Sequence, residues 1–251
     1  PVPEWQAGVD KMKSLIQTNP AQASEEVGEL LKGKNKKNVD LVTSVAHVYL
    51  DAGKLTEAQE YLAMAKKADN KDPKVSVLEG DIALAQKNIG QACQLYEQAI
   101  YFDPNCKEAY LKYAQAYKSA SPALAIEKLE QLKAVDPNCL EADRELAEVY
   151  YSSNRFGKAA EMYAKFIDTP LATEDDMLKY AFALFLNHDF EKSLQVAQKG
   201  LQKNARHAAF NRLVMYNNTD LKRYEDAEKA AHAFFNASDR ADYSYLDYRY
   251  Y

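Results

Sequence analysis

The sequence is poor both in residues that break helices and in residues that favour strands. Its 251 residues include only 8 glycines and 8 prolines, and valine, isoleucine and threonine together account for just 25 positions. Globular chains average about 12% Gly plus Pro, and sheets draw heavily on β-branched residues. Hydrophobic residues nevertheless make up 47% of the chain and charged residues 27%. These proportions exclude a disordered chain and disfavour a sheet-rich fold.

The chain also lacks a basic excess and a long apolar run. It carries 32 Lys+Arg against 37 Asp+Glu, a net charge of −5, which argues against a polycationic nucleic-acid binder. The longest apolar run, Tyr180–Leu186, is far shorter than the roughly 18 residues that cross a bilayer. Residue 1 is Pro1 rather than Met, and no leader-like segment follows it. We therefore expect a processed chain, and its compartment stays undecided at this point.

Residues that could carry chemistry are few and scattered. The three cysteines, Cys93, Cys106 and Cys139, form no C-x-x-C pair and have no histidine at zinc-binding spacing, so we expect buried free thiols. No phosphate-binding, nucleophile-elbow or metalloprotease motif occurs. His47 is expected to face a groove, as a solvated or hydrogen-bonded residue rather than a ligand or base. We expect no enzymatic activity, no cofactor and no metal.

Two charged segments allow a functional and a structural interpretation. The cluster Thr173-Glu174-Asp175-Asp176 could suggest acid–base catalysis, but it matches a capping threonine followed by acids in a first helical turn, and we favour that interpretation. The lysine-rich run 32–37 could contact phosphate or a membrane surface, but its short length favours a solvated connector.

The most informative property is an internal repeat of 33 or 34 residues. Large apolar residues recur with this period, as do prolines at 73, 104, 137 and 170. Two series of small residues share it: Ala58, Ala92, Ala125, Ala159, Ser193 and Ala227, and Ala46, Gly80, Ala114, Ala147 and Ala181. Independent series with one period indicate a repeat architecture.

Each period predicts two helices joined by a tight turn. Val42, Val45, Ala46 and Tyr49 form an apolar stripe with helical spacing, and a second stripe begins at Leu55. Gly53 lies between the stripes, where a tight connection needs its conformational freedom. Small residues are expected where the two helices cross. The pair Asp72-Pro73 predicts an N-cap followed by Pro at the first helical position, and Asp103-Pro104 and Asp136-Pro137 are expected to mark the same boundary.

This pattern resembles the tetratricopeptide repeat, whose 34-residue unit has an aromatic residue near its start, small residues in both helices and a closing proline. The unit from Tyr110 to Pro137 shows all of these features. The resemblance implies an all-α, right-handed superhelical solenoid of antiparallel helix pairs, with first helices on a concave face. We predict a degenerate helix pair at 1–38, the first helix of a further unit at 238–251, and six units between them at 39–72, 73–105, 106–138, 139–172, 173–205 and 206–237, all in one continuous solenoid.

The expected function is non-enzymatic binding of an extended peptide or a partner helix on the concave face. The Lys/Asn/Arg clamp that some family members use for a carboxylate is absent, because Thr43, His47, Leu78, Glu108 and Lys112 stand at its positions. The candidate partner-binding residues lie on later first helices and mix aromatic, cationic and Met side chains, as interfaces do: Arg144, Glu148, Tyr151, Lys179, Phe182, Phe185, Asn211, Arg212 and Met215. The alternative for Phe182 and Phe185 is packing between adjacent helices.

A second hypothesis is a structural one, in which the repeats form part of a larger protein that self-associates or orders neighbouring domains. Residues 242–251 contain five tyrosines and would expose an apolar face, so we expect the native protein to continue past Tyr251 and the chain to associate through this segment. A weaker likeness to secreted bacterial repeat proteins favours an extracytoplasmic site.

Overall fold

The chain is helical throughout the part that the structure describes. The structure is a computed structural model that describes residues 2–251, and it contains α-helices and two short 3-10 segments, Gly33–Lys37 and Arg240–Asp242, but no strand within that range. The helices of the first half are α1 (Gln6–Leu15), α2 (Pro20–Leu30), α3 (Val39–Asp51), α4 (Leu55–Ala68), α5 (Pro73–Ala85), α6 (Ile89–Phe102), α7 (Lys107–Tyr117) and α8 (Pro122–Val135).

The second half repeats the alternation of first and second helices. Its helices are α9 (Leu140–Ser152), α10 (Phe156–Phe166), α11 (Glu174–Leu186), α12 (Phe190–Lys203), α13 (Ala208–Asp220), α14 (Tyr224–Ala237) and α15 (Tyr245–Tyr250). The chain divides into two compact units, the first ending at Val135 and the second running from Asp136 to Tyr251. Within each unit consecutive helices pack as pairs, and each predicted repeat contains one pair. The predicted all-α class, a solenoid of helix pairs, is confirmed.

The two series of small residues lie where paired helices touch. Ala58, Ala92 and Ala159 are fully buried, and so are Ala46 and Ala147. At Gly80, a methyl group in place of the hydrogen would lie 2.6 Å from the Tyr96 ring and 3.2 Å from the Ala92 carbonyl oxygen. The backbones of α5 and α6 therefore approach too closely for a larger side chain, which explains why small residues recur with the repeat period.

Turns and helix ends follow the same period. Gly53 has φ +76°, and the corresponding turns place Lys87, Asn154, His188 and Lys222 at φ between 57° and 63°. First helices begin after an N-cap at a fixed position of the repeat, and the side chains of Asn38, Asp72, Thr173 and His207 each accept a backbone N–H bond there. Thr173 and Asp176 form the reciprocal capping box that the sequence indicated.

Two predicted helix starts were placed too early. Helices α7 and α9 begin after Cys106 and Cys139, not at Pro104 and Pro137. Asp103 and Asp136 instead accept hydrogen bonds from the backbone N–H two residues on, at 2.9 and 3.2 Å. Such bonds stabilise a turn, so the Asp-Pro pairs lie in the loop before the helix rather than in its first turn. The lysine-rich run 32–37 is exposed and largely forms a 3-10 segment, as a solvated connector does.

Candidate functional site

The largest concave feature of the first unit is an open cavity of about 870 Å³. It is lined by the first helices α3, α5 and α7 and by Pro3 and Trp5, which precede α1. No second helix contributes to its walls. The period of the repeat brings these first helices side by side, so that residues about 34 positions apart share the cavity. Its size falls within the range of about 300–1,000 Å³ typical of ligand sites.

The floor of the cavity is a hydrogen-bond network centred on the carboxylate of Asp81. Tyr96, on the second helix of the same repeat, donates its hydroxyl hydrogen to Oδ1 at 2.6 Å. Lys112, from α7, donates to Oδ2 at 2.8 Å, and Nε2 of His47, from α3, lies 2.9 Å from the same oxygen. Asp81 therefore ties three successive first helices and one second helix together.

His47 has acceptors at both of its ring nitrogens. Nδ1 lies 2.9 Å from the carbonyl oxygen of Thr43, while Nε2 faces Asp81. A carbonyl and a carboxylate can only accept, so both nitrogens are best satisfied as donors, in the imidazolium form. Burial disfavours that form, but the hydrogen bond and the charge of Asp81 outweigh burial and raise the pKa of His47 above its ordinary value of 6.5. The network thus places a cation on each side of Asp81.

The same network holds the other groups in defined charge states. Burial alone would raise the pKa of Asp81, but its bonds with His47, Lys112 and Tyr96 lower it below the usual range. Burial, followed by the bond to Asp81, raises the pKa of the Tyr96 hydroxyl, which stays protonated as a donor. Nothing in this arrangement activates a nucleophile, and every oxygen of Asp81 is engaged. The floor acts as a preorganised polar surface.

A second copy of this cluster occurs in the second unit, 67 residues further along the sequence. There Tyr163 donates to Oε1 of Glu148 at 3.0 Å, and Lys179 donates to Glu148 at 3.1 Å. Lys179 also pairs with Asp175 at 2.8 Å, as Lys112 does more loosely with Glu108 at 3.7 Å. The two copies exchange Asp and Glu at both acidic positions. Only the first copy includes a histidine.

Most of the predicted partner-binding residues are engaged within the second unit. Arg144 pairs with buried Asp176 at 3.0 Å, and Arg212 pairs with fully buried Asp247 at 2.9 Å, which joins α13 to α15. The Tyr151 ring packs edge-on against Phe156 and Tyr163.

The two predicted groove phenylalanines are half-buried. Phe182 packs against the core formed around Ala181, Ala197 and Leu213. Phe185 packs against Phe190, Tyr216 and Tyr250, with ring centroids 5.6 to 6.2 Å apart. Inter-helix packing, the alternative that the sequence left open for both rings, therefore describes most of their surface.

Two of the predicted residues do not face the groove. Met215 has no exposed surface, because it lies 34 positions after Ala181 and occupies the small-residue position of its repeat. Asn211 is buried, and its side-chain amide donates to the carbonyl oxygens of Ala205 and His207 at 3.1 and 3.2 Å. These two residues are removed from the candidate set.

Sequence reasoning placed the site on the later first helices and missed Trp5, Asp81 and Tyr96. A signal for Asp81 was present, because the position after each small residue of the first-helix series should face the groove. That position holds His47, Asp81, Glu148, Phe182 and Tyr216 in five of the repeats. The pairing of His47 with the equivalent residue one repeat later follows from the period alone.

The remaining candidate chemistry is confined to buried or capping positions. Cys93 is buried, and burial raises the pKa of its thiol to about 11, so it is not a reactive nucleophile. Cys139 is buried as well, and Cys106 is half-buried. Across residues 2–251, no cluster of three or more His, Cys, Asp or Glu side chains has a geometry that could hold a metal ion. No helix in the same range is long and apolar enough to cross a membrane.

Comparison with known families identifies the repeat. The sequence model of the tetratricopeptide repeat matches residues 45–105 and 115–172. No curated protein sequence matches the chain significantly.

Solved structures resemble the fold at low sequence identity. The C-terminal part of a TPR repeat-containing protein from Cytophaga hutchinsonii superposes with a TM-score of 0.70 at 17% identity, covering 96% of this chain and 98% of that one. PilW, a type IV pilus biogenesis factor, gives 0.62 at 17%, covering 80% and 94%. YrrB, described as a TPR protein with an unusual peptide-binding site, gives 0.53 at 15%, covering 70% and 92%. At these identities the likeness establishes the fold.

Proposed function

We propose that this chain, which is a tetratricopeptide-repeat protein, is a non-enzymatic scaffold that binds an extended peptide or a partner helix on its first helices. The observation that carries the proposal is the cavity of about 870 Å³ whose walls come from α3, α5, α7 and the segment before α1. Its polar floor is held in place by the bonds to Asp81, while Leu84 remains 37% exposed at its edge. A rigid surface of this kind loses little conformational entropy on binding.

The solved relatives agree with this proposal at the level of function class. YrrB is described as having a peptide-binding site within the same fold. The predicted residues on the second unit, in particular Tyr151, Phe182 and the Glu148–Lys179 pair, supply a second surface for the same partner. Tyr151 and Lys179 are half-buried and reachable from solvent. We therefore place the principal site on the first unit and an accessory site on the second.

The test is selection of peptides from a random phage-displayed library on the immobilised 251-residue chain, followed by titration of the enriched peptides. Leu84→Glu should weaken binding by about tenfold, because it places a charge on the apolar edge of the cavity. Tyr101→Glu is the matched control, since Tyr101 lies on second helix α6 and is 82% exposed. The double variant Tyr151→Ala/Phe182→Ala reports on the accessory surface. Absence of enriched peptides, or equal affinity for wild type and Leu84→Glu, contradicts the principal site.

Self-association through residues 242–251 is a second candidate function. Tyr245, Tyr248 and Tyr251 are between 61% and 80% exposed, although Asp247 anchors their helix to α13. Tyrosine-rich surfaces are common in protein interfaces. Light scattering over a concentration series should show association of the full chain and none for a chain shortened to Asn236. Monomers of both at every concentration contradict this candidate.

For localisation, we infer a site outside the cytoplasm of a bacterium. The support is the fold shared with PilW, which is described as a pilus biogenesis factor. Fractionation of cells that express the natural full-length protein tests this inference, and recovery with the cytoplasmic fraction contradicts it.

A further inference from the structure

The two ends of the cavity differ in charge and in apolar surface. At one end Asp40, Lys74 and Glu108 line the first turns of α3, α5 and α7, where Lys74 bonds to Asp40. At the other end Leu50 and Leu84 line the last turns of α3 and α5. The single tryptophan of the chain, Trp5, also lines the cavity. A binding segment would meet apolar walls near the helix C-termini.

The basic groups of the cavity are already neutralised, but Asp51 is not. Lys112 and His47 both contact Asp81, and Lys74 contacts Asp40. Asp51 is exposed at the end of α3, and within residues 2–251 no Lys, Arg or His lies within ion-pair distance of it. The C-termini of α3 and α5 add partial negative charge at the same end. This end therefore attracts a cation.

We propose that the cavity binds a partner polypeptide through an apolar side chain followed by a lysine or arginine. The apolar side chain would lie between Leu50 and Leu84, and the cation beside Asp51 and Trp5. An aromatic face adds cation–π attraction to the ionic one, worth about 0.5–1 kcal/mol at exposed sites. An acidic segment would be repelled at this end. This inference rests on the proposed function and specifies the chemistry of its ligand.

Trp5 makes the site directly measurable. Because it is the only tryptophan, its fluorescence, excited at wavelengths where tyrosine does not absorb, reports occupation of this cavity. The probes are three blocked tetrapeptides: acetyl-Gly-Phe-Arg-Gly-amide, the same peptide with Glu in place of Arg, and the same peptide with Gly in place of Phe. We expect saturable fluorescence changes with the Phe-Arg peptide and at least about fivefold weaker binding of the other two, and added salt should weaken the Phe-Arg peptide most.

The matched variants remove one negative charge each. Asp51→Asn should weaken binding of the Phe-Arg peptide about two- to fivefold, the range of one exposed ion pair. Glu60→Gln is the control, because Glu60 is exposed on second helix α4 and does not line the cavity. Equal weakening by both variants would show a general effect of net charge and overturn the inference.

The outcomes separate this inference from the proposed function. If the Phe-Glu peptide binds as tightly as the Phe-Arg peptide, or Asp51→Asn binds like wild type, the cation site is wrong. If library-selected peptides depend on Leu84 but the Phe-Arg peptide leaves Trp5 unchanged, the inference fails while the proposed function stands. If no peptide of either kind binds, both fail. A change in Trp5 fluorescence with protein concentration alone would assign the cavity to a second copy of the chain instead.

Discussion

The ring nitrogen Nε2 of His47 lies 2.9 Å from Oδ2 of Asp81, a residue 34 positions later in the sequence. The two residues occupy the same position in successive repeats, and they meet because first helices α3 and α5 pack side by side. The contact places an imidazolium against a carboxylate at the floor of the cavity. Its strength should therefore depend on pH.

We expect His47→Gln to destabilise the chain more at low pH than at high pH. The pKa of His47 is raised in the folded state. A raised pKa contributes stability that is fully present below the unfolded value, near 6.5, and is lost as pH rises through the folded value. Urea unfolding of wild type and variant between about pH 5 and about pH 9 measures the difference in unfolding free energy. His232→Gln, at an exposed site on α14, is the control. A difference that grows with rising pH contradicts the assignment.

The two tyrosine–carboxylate bonds should make similar contributions to stability. Tyr96→Phe and Tyr163→Phe each remove a hydroxyl that donates to an ionised carboxylate, at 2.6 and 3.0 Å. Hydrogen bonds to charged groups contribute about 1.5–3 kcal/mol, and the remaining donors keep each carboxylate bonded, so we expect losses near the lower limit. Tyr101→Phe, 82% exposed, should change nothing. Chemical denaturation provides the measurement, and unchanged stability of Tyr96→Phe would contradict the role of the network.

Ala92→Leu should overpack the crossing of α5 and α6. Ala92 is fully buried, and its carbonyl lies against Gly80. Inserting larger side chains into a packed core costs about 1–3 kcal/mol. The same change at exposed Gln94, in the same helix, should be nearly neutral. An unchanged melting temperature of Ala92→Leu would show that the small-residue series does not mark the helix crossings.

The interhelix turns should respond in opposite directions to glycine. Gly53 has φ +76° and Lys87, at the equivalent turn, has φ +62°. Left-handed backbone costs a residue with a Cβ atom about 1–2 kcal/mol. Gly53→Ala should therefore lower the free energy of unfolding by about 1 kcal/mol, whereas Lys87→Gly should leave it unchanged or raise it. Urea titration of both variants tests the pair, and stabilisation by Gly53→Ala would contradict the turn geometry.

The sequence by itself determined the architecture. Few Gly and Pro residues, small residues every 33 or 34 positions and apolar stripes of helical spacing were sufficient to predict paired helices and to identify the repeat. They were sufficient because a repeat array is built from contacts between neighbouring segments. The same local chemistry correctly identified the Thr173 cap, whose partner is three residues away.

Only the tertiary structure decided which residues form the site. Asp81 reads in the sequence as one exposed acid among many, but packing surrounds it with His47, Tyr96 and Lys112, contributed by three other helices. Trp5 joins the cavity from before α1, outside the clear repeats. Met215 appeared suited to an interface, yet it fills the position where other repeats need a small residue. Helical spacing determines the face on which a side chain lies, whereas its contacts depend on neighbouring helices, which the spacing within one helix does not encode.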